Sequence, residues 1–306
     1  MKIAVVGPGG VGGYFGAKLA EAGYEVHFVG RGAHLEAIRK NGLTIKSPEG
    51  DIHIDTNATA DPSDIGQCDY VLFCVKSMDT VDAARRLHPL LGHETAVISL
   101  QNGVDNEDRI AAHIGPKHVM AGAAFVFATI AEPGIIVRPG GPARIVFGEM
   151  DRSPSERAQR LLQICVDAQI DAEISNDISN VLWRKFALIC AVGGMTAASR
   201  LPIGEVRSDE TAFRMFRRIV EEAVAVAEAR GVDLPEDTVE QGLQFARDLP
   251  SNAYSSLHYD LVNGKPMELE ALHGTLVSIG REAGLNIPMS EAVYALLKPW
   301  ELHNSR

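Results

Sequence analysis

Two stretches of this chain hold residues whose types and spacing could do chemistry. The first is "VLWRKFALICAVGG", Val181 to Gly194. It is apolar almost throughout and reads as a buried helix, yet Lys185 stands inside it. Its helical neighbours three and four residues away are Val181, Leu182, Leu188 and Ile189. An ammonium among such neighbours must reach water, find an anionic partner, or do chemistry. The second stretch is "VVGPGGVGGYFG", which carries Gly-x-Gly-x-x-Gly as Gly7, Gly9 and Gly12. Gly7 permits a tight turn, Gly9 lets the backbone approach a pyrophosphate, and Gly12 lets helix and strand pack closely. The helix N-terminus then faces the anion. Glycine-rich turns occur in many loops. Here the motif follows a first strand and opens a first helix, so Gly7, Pro8, Gly9, Gly10, Val11 and Gly12 read as a dinucleotide cradle.

The end of the second strand indicates which dinucleotide. NAD binders place an acidic residue there to hold the ribose 2′-hydroxyl. This chain has "HFVGRG", with Arg31 at that point. A guanidinium pairs with a 2′-phosphate, which favours NADP(H). The plainer reading of Arg31 is a solvated surface arginine. Lys76 in "FCVKSMD" and Asn102 in "SLQNGVDN" each follow an apolar strand. Ligands of an open parallel sheet bind beyond such carboxyl ends.

The elements that must position these groups follow from periodicity. "KIAVVG", "EVHFVG", "YVLFCV" and "TAVISL" read as buried strands. "VGGYFGAKLAEAG", "AHLEAIRKNG" and "DTVDAARRLHPLL" read as helices between them. "LTIKSPEGDIHID" reads as a hairpin turning at Glu49-Gly50. This is the β-α-β rhythm of a parallel, doubly wound sheet. Residues 119–150 are β-rich and broken by Pro133-Gly134 and Pro139-Gly140-Gly141, which fits hairpins. A helix, "PSERAQRLLQICVDAQ", and a last strand, "DAEIS", follow. Helical patterns then dominate to the end. The expected organisation is an α/β domain over 1–175 and an all-helical domain over 176–306. In the latter, the charge of "RRIVEEAVAVAEARG" reads as the solvated face of an amphipathic helix.

At 306 residues the chain is long enough for two domains and needs no disulfide or metal staple. A net charge of -11 argues against general nucleic-acid binding. The four cysteines, Cys68, Cys74, Cys165 and Cys190, form no C-x-x-C pair, and a reduced, cytoplasmic protein is the simplest reading. No metal site is expected, since H-E-x-x-H and spaced Cys/His clusters are missing. "MKIAVVG" starts a strand rather than a signal peptide, and no membrane span is expected. A homodimer is the default expectation.

The motifs together resemble the ketopantoate reductase (2-dehydropantoate 2-reductase) family over nearly the whole chain. They are "VGPGGVGGYFG", "CVKSMD", "LQNGVDN", "WRKFALICAVGGMTA", "SSLHYDLVNGKPMELEALHG" and "GLNIPMSEAVYALLKP". The resemblance implies an N-terminal Rossmann-type doubly wound sheet, a C-terminal all-α domain, and NADPH-dependent reduction of a 2-oxo acid to a 2-hydroxy acid. It implies that Lys185 is the catalytic lysine, that Glu268, within "MELE", is the family's catalytic glutamate, and that Ser256 is the substrate serine. Lys76 and Asn102 match the family's cofactor-contacting lysine and asparagine, and Asn102 also borders the substrate. On this reading Lys185 is a general acid that stabilises and protonates the carbonyl oxygen. Partial burial would lower its pKa, and Glu268 would oppose that shift and orient the amine.

The chain departs from the family at three positions. Asparagines that follow the lysine and hold substrate are replaced by Ile189, Gly193 and Ile203. A site that loses hydrogen-bonding groups loses discrimination, so a bulkier or more apolar 2-oxo acid is expected. Thr196, His258 or Tyr259 could instead supply the missing contacts. Two alternatives remain open at this stage. One is another Rossmann dehydrogenase with a helical second domain, such as a β-hydroxyacid dehydrogenase, which the "SSLHYD…MELE" segment argues against. The other is a non-catalytic NADP(H) sensor, which the joint presence of Lys185, Asn102, Ser256 and Glu268 argues against.

Overall fold

The computed structural model describes residues 1–304. The chain divides into two compact units. Unit 1 comprises Met1–Gln101 and Asn106–Ile178, and unit 2 comprises Asn102–Asp105 and Ser179–Arg306.

Unit 1 opens with β1 (Lys2–Val6), α1 (Gly10–Glu21), β2 (Glu25–Val29) and α2 (Gly32–Asn41). Then come β3 (Leu43–Lys46), β4 (Ile52–Ile54), β5 (Asn57–Thr59), β6 (Cys68–Phe73), α3 (Thr80–Arg85), β7 (Leu91–Ser99) and α4 (Asn106–Ile114). It closes with β8 (Val119–Val126), β9 (Thr129–Glu132), β10 (Ile135–Val137), β11 (Ala143–Gly148), α5 (Glu156–Asp167) and β12 (Asp171–Ile174). The main sheet has the order β12-β11-β8-β7-β6-β1-β2-β5. All its neighbours run parallel except β8 and β11. Ile3, Ala4, Val5 and Val6 of β1 are all buried, as expected of a parallel strand covered on both faces. The chain runs outward from β1 through β2 to β5, then returns to β6 on the other side of β1. The order therefore reverses between β1 and β6, and this switch point is where ligands of such sheets bind.

The second sheet, β4-β3-β10-β9, was only half legible. The β3–β4 hairpin turns through Gly50, and β9 and β10 pair antiparallel around Pro133-Gly134. The parallel pairing of β3 with β10 joins residues about ninety positions apart, which no local pattern encodes. Two expectations need correction. The helix read in "DTVDAARRLHPLL" is only the six residues of α3, because Pro89 holds His88 out of a regular helix and a 3₁₀ turn takes over. β5 is a three-residue edge strand with no apolar run, and it was not anticipated.

Unit 2 is helical: α6 (Ile178–Ser199), α7 (Ile203–Ser208), α8 (Glu210–Ala229), α9 (Thr238–Asp248), α10 (Ser256–Val262), a π-helical turn (Glu270–Gly274), α11 (Thr275–Glu282) and α12 (Pro288–Asn304). By length and apolarity α6 could cross a membrane, which the sequence reading did not anticipate. Its Trp183, Phe186, Ala187, Cys190 and Ala191 instead form part of the core of unit 2. It is a core helix.

One charge on α8 is not solvated. Glu222 is buried. Its carboxylate accepts from the Met289 N–H at 2.9 Å, the Ser290 N–H at 2.7 Å and the Ser290 hydroxyl at 2.6 Å. It thus caps α12 from another helix and places negative charge at that helix's positive end. Replacing Glu222 by alanine is expected to cost about 3 kcal/mol, since it removes charge-assisted bonds and orphans buried N–H groups. Urea unfolding at neutral pH measures this. A loss below about 1 kcal/mol would show that water caps α12 equally well.

Candidate active site

The glycine loop begins where β1 ends. Gly7 has φ +92°, and a Cβ there would lie 2.7 Å from the Val75 nitrogen of the strand-end segment beside it. A Cβ on Gly12 would collide with the Gly7 carbonyl and lie 2.9 Å from the Cys74 Cβ, so α1 can approach the sheet only with glycine there. A Cβ on Gly10 would collide with the Ala128 carbonyl. Gly9 is different, because nothing lies within 4 Å of where its Cβ would be. Gly9 caps α1, whose first N–H groups, from Gly10, Val11 and Gly12, have no acceptor earlier in the helix. An open surface at Gly9 beside a helix N-terminus fits a dinucleotide pyrophosphate.

A residue the sequence did not flag fixes this loop. The half-buried His34 donates from Nε2 to the Pro8 carbonyl at 2.8 Å and accepts at Nδ1 from the Gly134 N–H at 3.0 Å. Burial lowers its pKa, so the neutral ring bridges the glycine loop to the β9–β10 turn. Nothing in "RGAHLEA" announces that role.

Arg31 stands directly after β2 as the cap residue of α2, and its side chain is 82% exposed. It does not simply face solvent. Its Nη2 lies 2.6 Å from the Asp79 carboxylate. Asp79 ends the short turn that begins after Lys76, beyond β6. Lys76 itself is exposed. Arg31, Lys76 and the glycine loop therefore belong to the carboxyl ends of β2, β6 and β1, three adjacent strands. Asn102 follows β7, but its segment groups with unit 2, where Val104 packs on the helical core.

In unit 2, Lys185 is half-buried on α6. Three hydrogen bonds fasten other elements to this helix. At the start of α10, the Ser255 hydroxyl lies 2.8 Å from that of Thr196, and Ser255 caps α10 by accepting from the His258 N–H at 3.0 Å. His258 in turn bonds through Nδ1 to the Thr196 carbonyl at 3.1 Å and stacks on Tyr254 at 4.1 Å. Ser256, the first residue of α10, is exposed beside this joint. At the π turn, the buried His273 donates from Nε2 to the Cys190 carbonyl at 3.0 Å. Glu268, half-buried, lies just ahead of that turn. Glu270 ties the turn to α12 through the Tyr294 hydroxyl at 2.9 Å and the Lys298 ammonium. α6, α10 and the π turn thus form one hydrogen-bonded group carrying Lys185, Ser256 and Glu268.

The three apolar replacements are not equivalent. Ile189 is partly buried against the core of unit 2, one turn beyond Lys185. Gly193 faces Leu257, whose side chain would lie 3.7 Å from an added Cβ. Ile203 is fully buried, with its N–H bonded to the Ala253 carbonyl at 2.9 Å. It is a packing residue rather than a lost substrate contact. Of the groups considered as substitute contacts, the Thr196 hydroxyl and His258 Nδ1 are engaged in α6 and its joint with α10. Tyr259 is exposed, with the Lys265 ammonium 5.0 Å from its ring centre.

The cysteines are all free, and burial pushes their thiols up, Cys68 to about 11 and Cys165 to about 12. None is a ready thiolate. Among the described residues no group of His, Cys, Asp and Glu is arranged to hold a metal.

A glycine loop at a sheet switch point, followed by an all-helical unit with a lysine on its first helix, defines a class: oxidoreductases that use a nicotinamide dinucleotide. The chain belongs within it to the ketopantoate reductase family. The family described as Ketopantoate reductase PanE/ApbA matches residues 3–152, and its C-terminal domain matches residues 177–301. A 2-dehydropantoate 2-reductase of Mesorhizobium japonicum is 31% identical, covering 97% of each chain. The crystal structure of a PanE/ApbA family ketopantoate reductase from Ralstonia eutropha is 34% identical and superposes with a TM-score of 0.92 over 100% of both chains. A D-mandelate dehydrogenase solved with NADH and anilino(oxo)acetate shares the fold, at 21% identity and a TM-score of 0.90. The family's activity is reduction of a 2-oxo acid to a hydroxy acid.

Proposed function

We propose that this chain is an NADPH-dependent 2-oxo acid reductase in which Lys185 is the general acid. The observation that carries this reading is the half-buried Lys185 on α6, on the helix that also anchors the segments bearing Ser256 and Glu268. When bound, the reduced nicotinamide supplies the hydride to C2 of the substrate. Lys185 donates its proton to the former carbonyl oxygen and stabilises the charge that develops there. Glu268 holds the ammonium in position, and water restores the proton afterwards. Ser256 and Asn102 bind the polar end of the substrate. Gly7 to Gly12 cradle the pyrophosphate, while Arg31 and Lys76 meet the 2′-phosphate. Four free thiols fit a reducing, cytoplasmic setting.

For the substrate we propose 2-dehydropantoate or a relative with a more apolar substituent, because Ile189 and Gly193 offer no hydrogen bond. The test follows NADPH oxidation with ketopantoate beside branched and aromatic 2-oxo acids. A branched or aromatic acid is expected to exceed ketopantoate in kcat/KM by about tenfold, the scale of one or two buried methylenes. Preference for ketopantoate would show that Ile189 and Gly193 do not set specificity. No oxidation with any acid would overturn the reductase reading.

A further inference from the structure

The Arg31–Asp79 pair carries an inference about cofactor choice. It rests on the reading of Arg31 as the group that meets the adenosine ribose. An arginine at this position offers a 2′-phosphate a bidentate partner. Here the guanidinium is already engaged by a carboxylate at 2.6 Å. Asp79 is only 28% exposed at the side chain, against 82% for Arg31, so the acid is the better-anchored member. We infer that Asp79 is a specificity-determining residue that restrains the preference for NADPH and admits NADH.

The argument is one of charge. Arg31 brings a positive charge to this corner, and the Asp79 carboxylate cancels it. His34, on the next helix, is held neutral by burial and adds none. A 2′-phosphate, with nearly two negative charges, must displace the Asp79 carboxylate from Arg31 or lie beside it. A 2′-hydroxyl has no such conflict. It can donate a hydrogen bond to the Asp79 carboxylate, the role that NAD binders give to an acid at the end of the second strand. In this chain the acid comes instead from the turn after β6, which is why "HFVGRG" alone reads as NADP(H).

The test is calorimetric binding of NADPH and of NADH to the full-length wild type, to Asp79→Asn and to Arg31→Ala, with no 2-oxo acid present. The expected wild-type affinities for the two cofactors differ by less than about tenfold. Asp79→Asn keeps the shape, removes the charge, and is expected to raise the NADPH preference about tenfold. Arg31→Ala is expected to abolish the preference. An unchanged ratio in Asp79→Asn with a collapsed one in Arg31→Ala would overturn the inference and leave the reading of Arg31 standing. An unchanged ratio in Arg31→Ala would overturn both. Because binding is read without turnover, neither outcome depends on the reductase assignment.

Discussion

Replacing Lys185 by alanine is expected to lower kcat for 2-oxo acid reduction by about 10³-fold or more while leaving the affinity for the dinucleotide unchanged. General acid catalysis by a positioned side chain contributes about 10²–10⁴-fold, and removing a charge that meets a developing oxyanion costs about as much. The two effects share one atom, so they do not multiply fully. Lysine to arginine separates them. Arginine keeps the positive charge but holds its proton too tightly to donate it, so kcat should stay depressed while KM for the acid stays near that of the wild type. The fold should tolerate both changes, since Lys185 is half-buried at the edge of an otherwise apolar core. Single-turnover oxidation of NADPH provides the rate without the complication of product release. Alanine activity within tenfold of the wild type would remove Lys185 from the chemistry and leave it as an amphipathic side chain that snorkels to water.

The second large effect concerns stability. His273 is fully buried, and burial lowers its pKa from 6.5 to about 4. The unfolded chain binds a proton near pH 6.5, whereas the folded ring resists protonation until about pH 4. Between those values the unfolded state holds more protons, so stability falls as pH falls. The contribution is complete above pH 6.5 and is lost progressively down to about pH 4. Between pH 7 and pH 5 it amounts to about 2 kcal/mol. The comparison variant is His273→Gln, which retains an N–H donor for the Cys190 carbonyl but cannot titrate. Urea unfolding at both pH values should show the wild type losing about 2 kcal/mol more than the variant. Parallel losses would mean that the folded state accommodates a protonated His273, through water or rearrangement of the π turn.

The shape of the glycine loop was legible because local rules are strict there. A glycine loop between strand and helix has few other uses, and the steric conflicts at Gly7 and Gly12 show why the residue type is obligatory. Asp79 was not legible as the partner of Arg31, because 48 residues separate them and only the sheet order brings them together. Glu222 left a faint signal. α12 starts with Pro288 after Ile287, with no Ser, Thr, Asp or Asn to cap it, so its N–H groups had to be satisfied from elsewhere. His273 left none. A histidine between Leu272 and Gly274 is an ordinary sight, and the π turn that directs it to α6 depends on packing rather than propensity. The full burial of Ile203 was not legible, because a position in the sequence does not show which way its side chain faces.

Gly193 and Gly194 are neighbours of the same chemical kind, yet the molecule grants them opposite freedom. A methyl group on Gly193 would meet Leu257 at ordinary contact distance. The same group on Gly194 would press within 2.6 Å of His273 Nε2 and 2.8 Å of Val293, against the bond that fastens the π turn to α6. Position 193 therefore has room for a methyl group without any shift of its neighbours. Position 194 has none, because an added carbon there presses on the contact that holds the π turn to α6. The helix thus sets a tolerant position beside an intolerant one, so an added carbon is accepted at the first and unseats the π turn at the second.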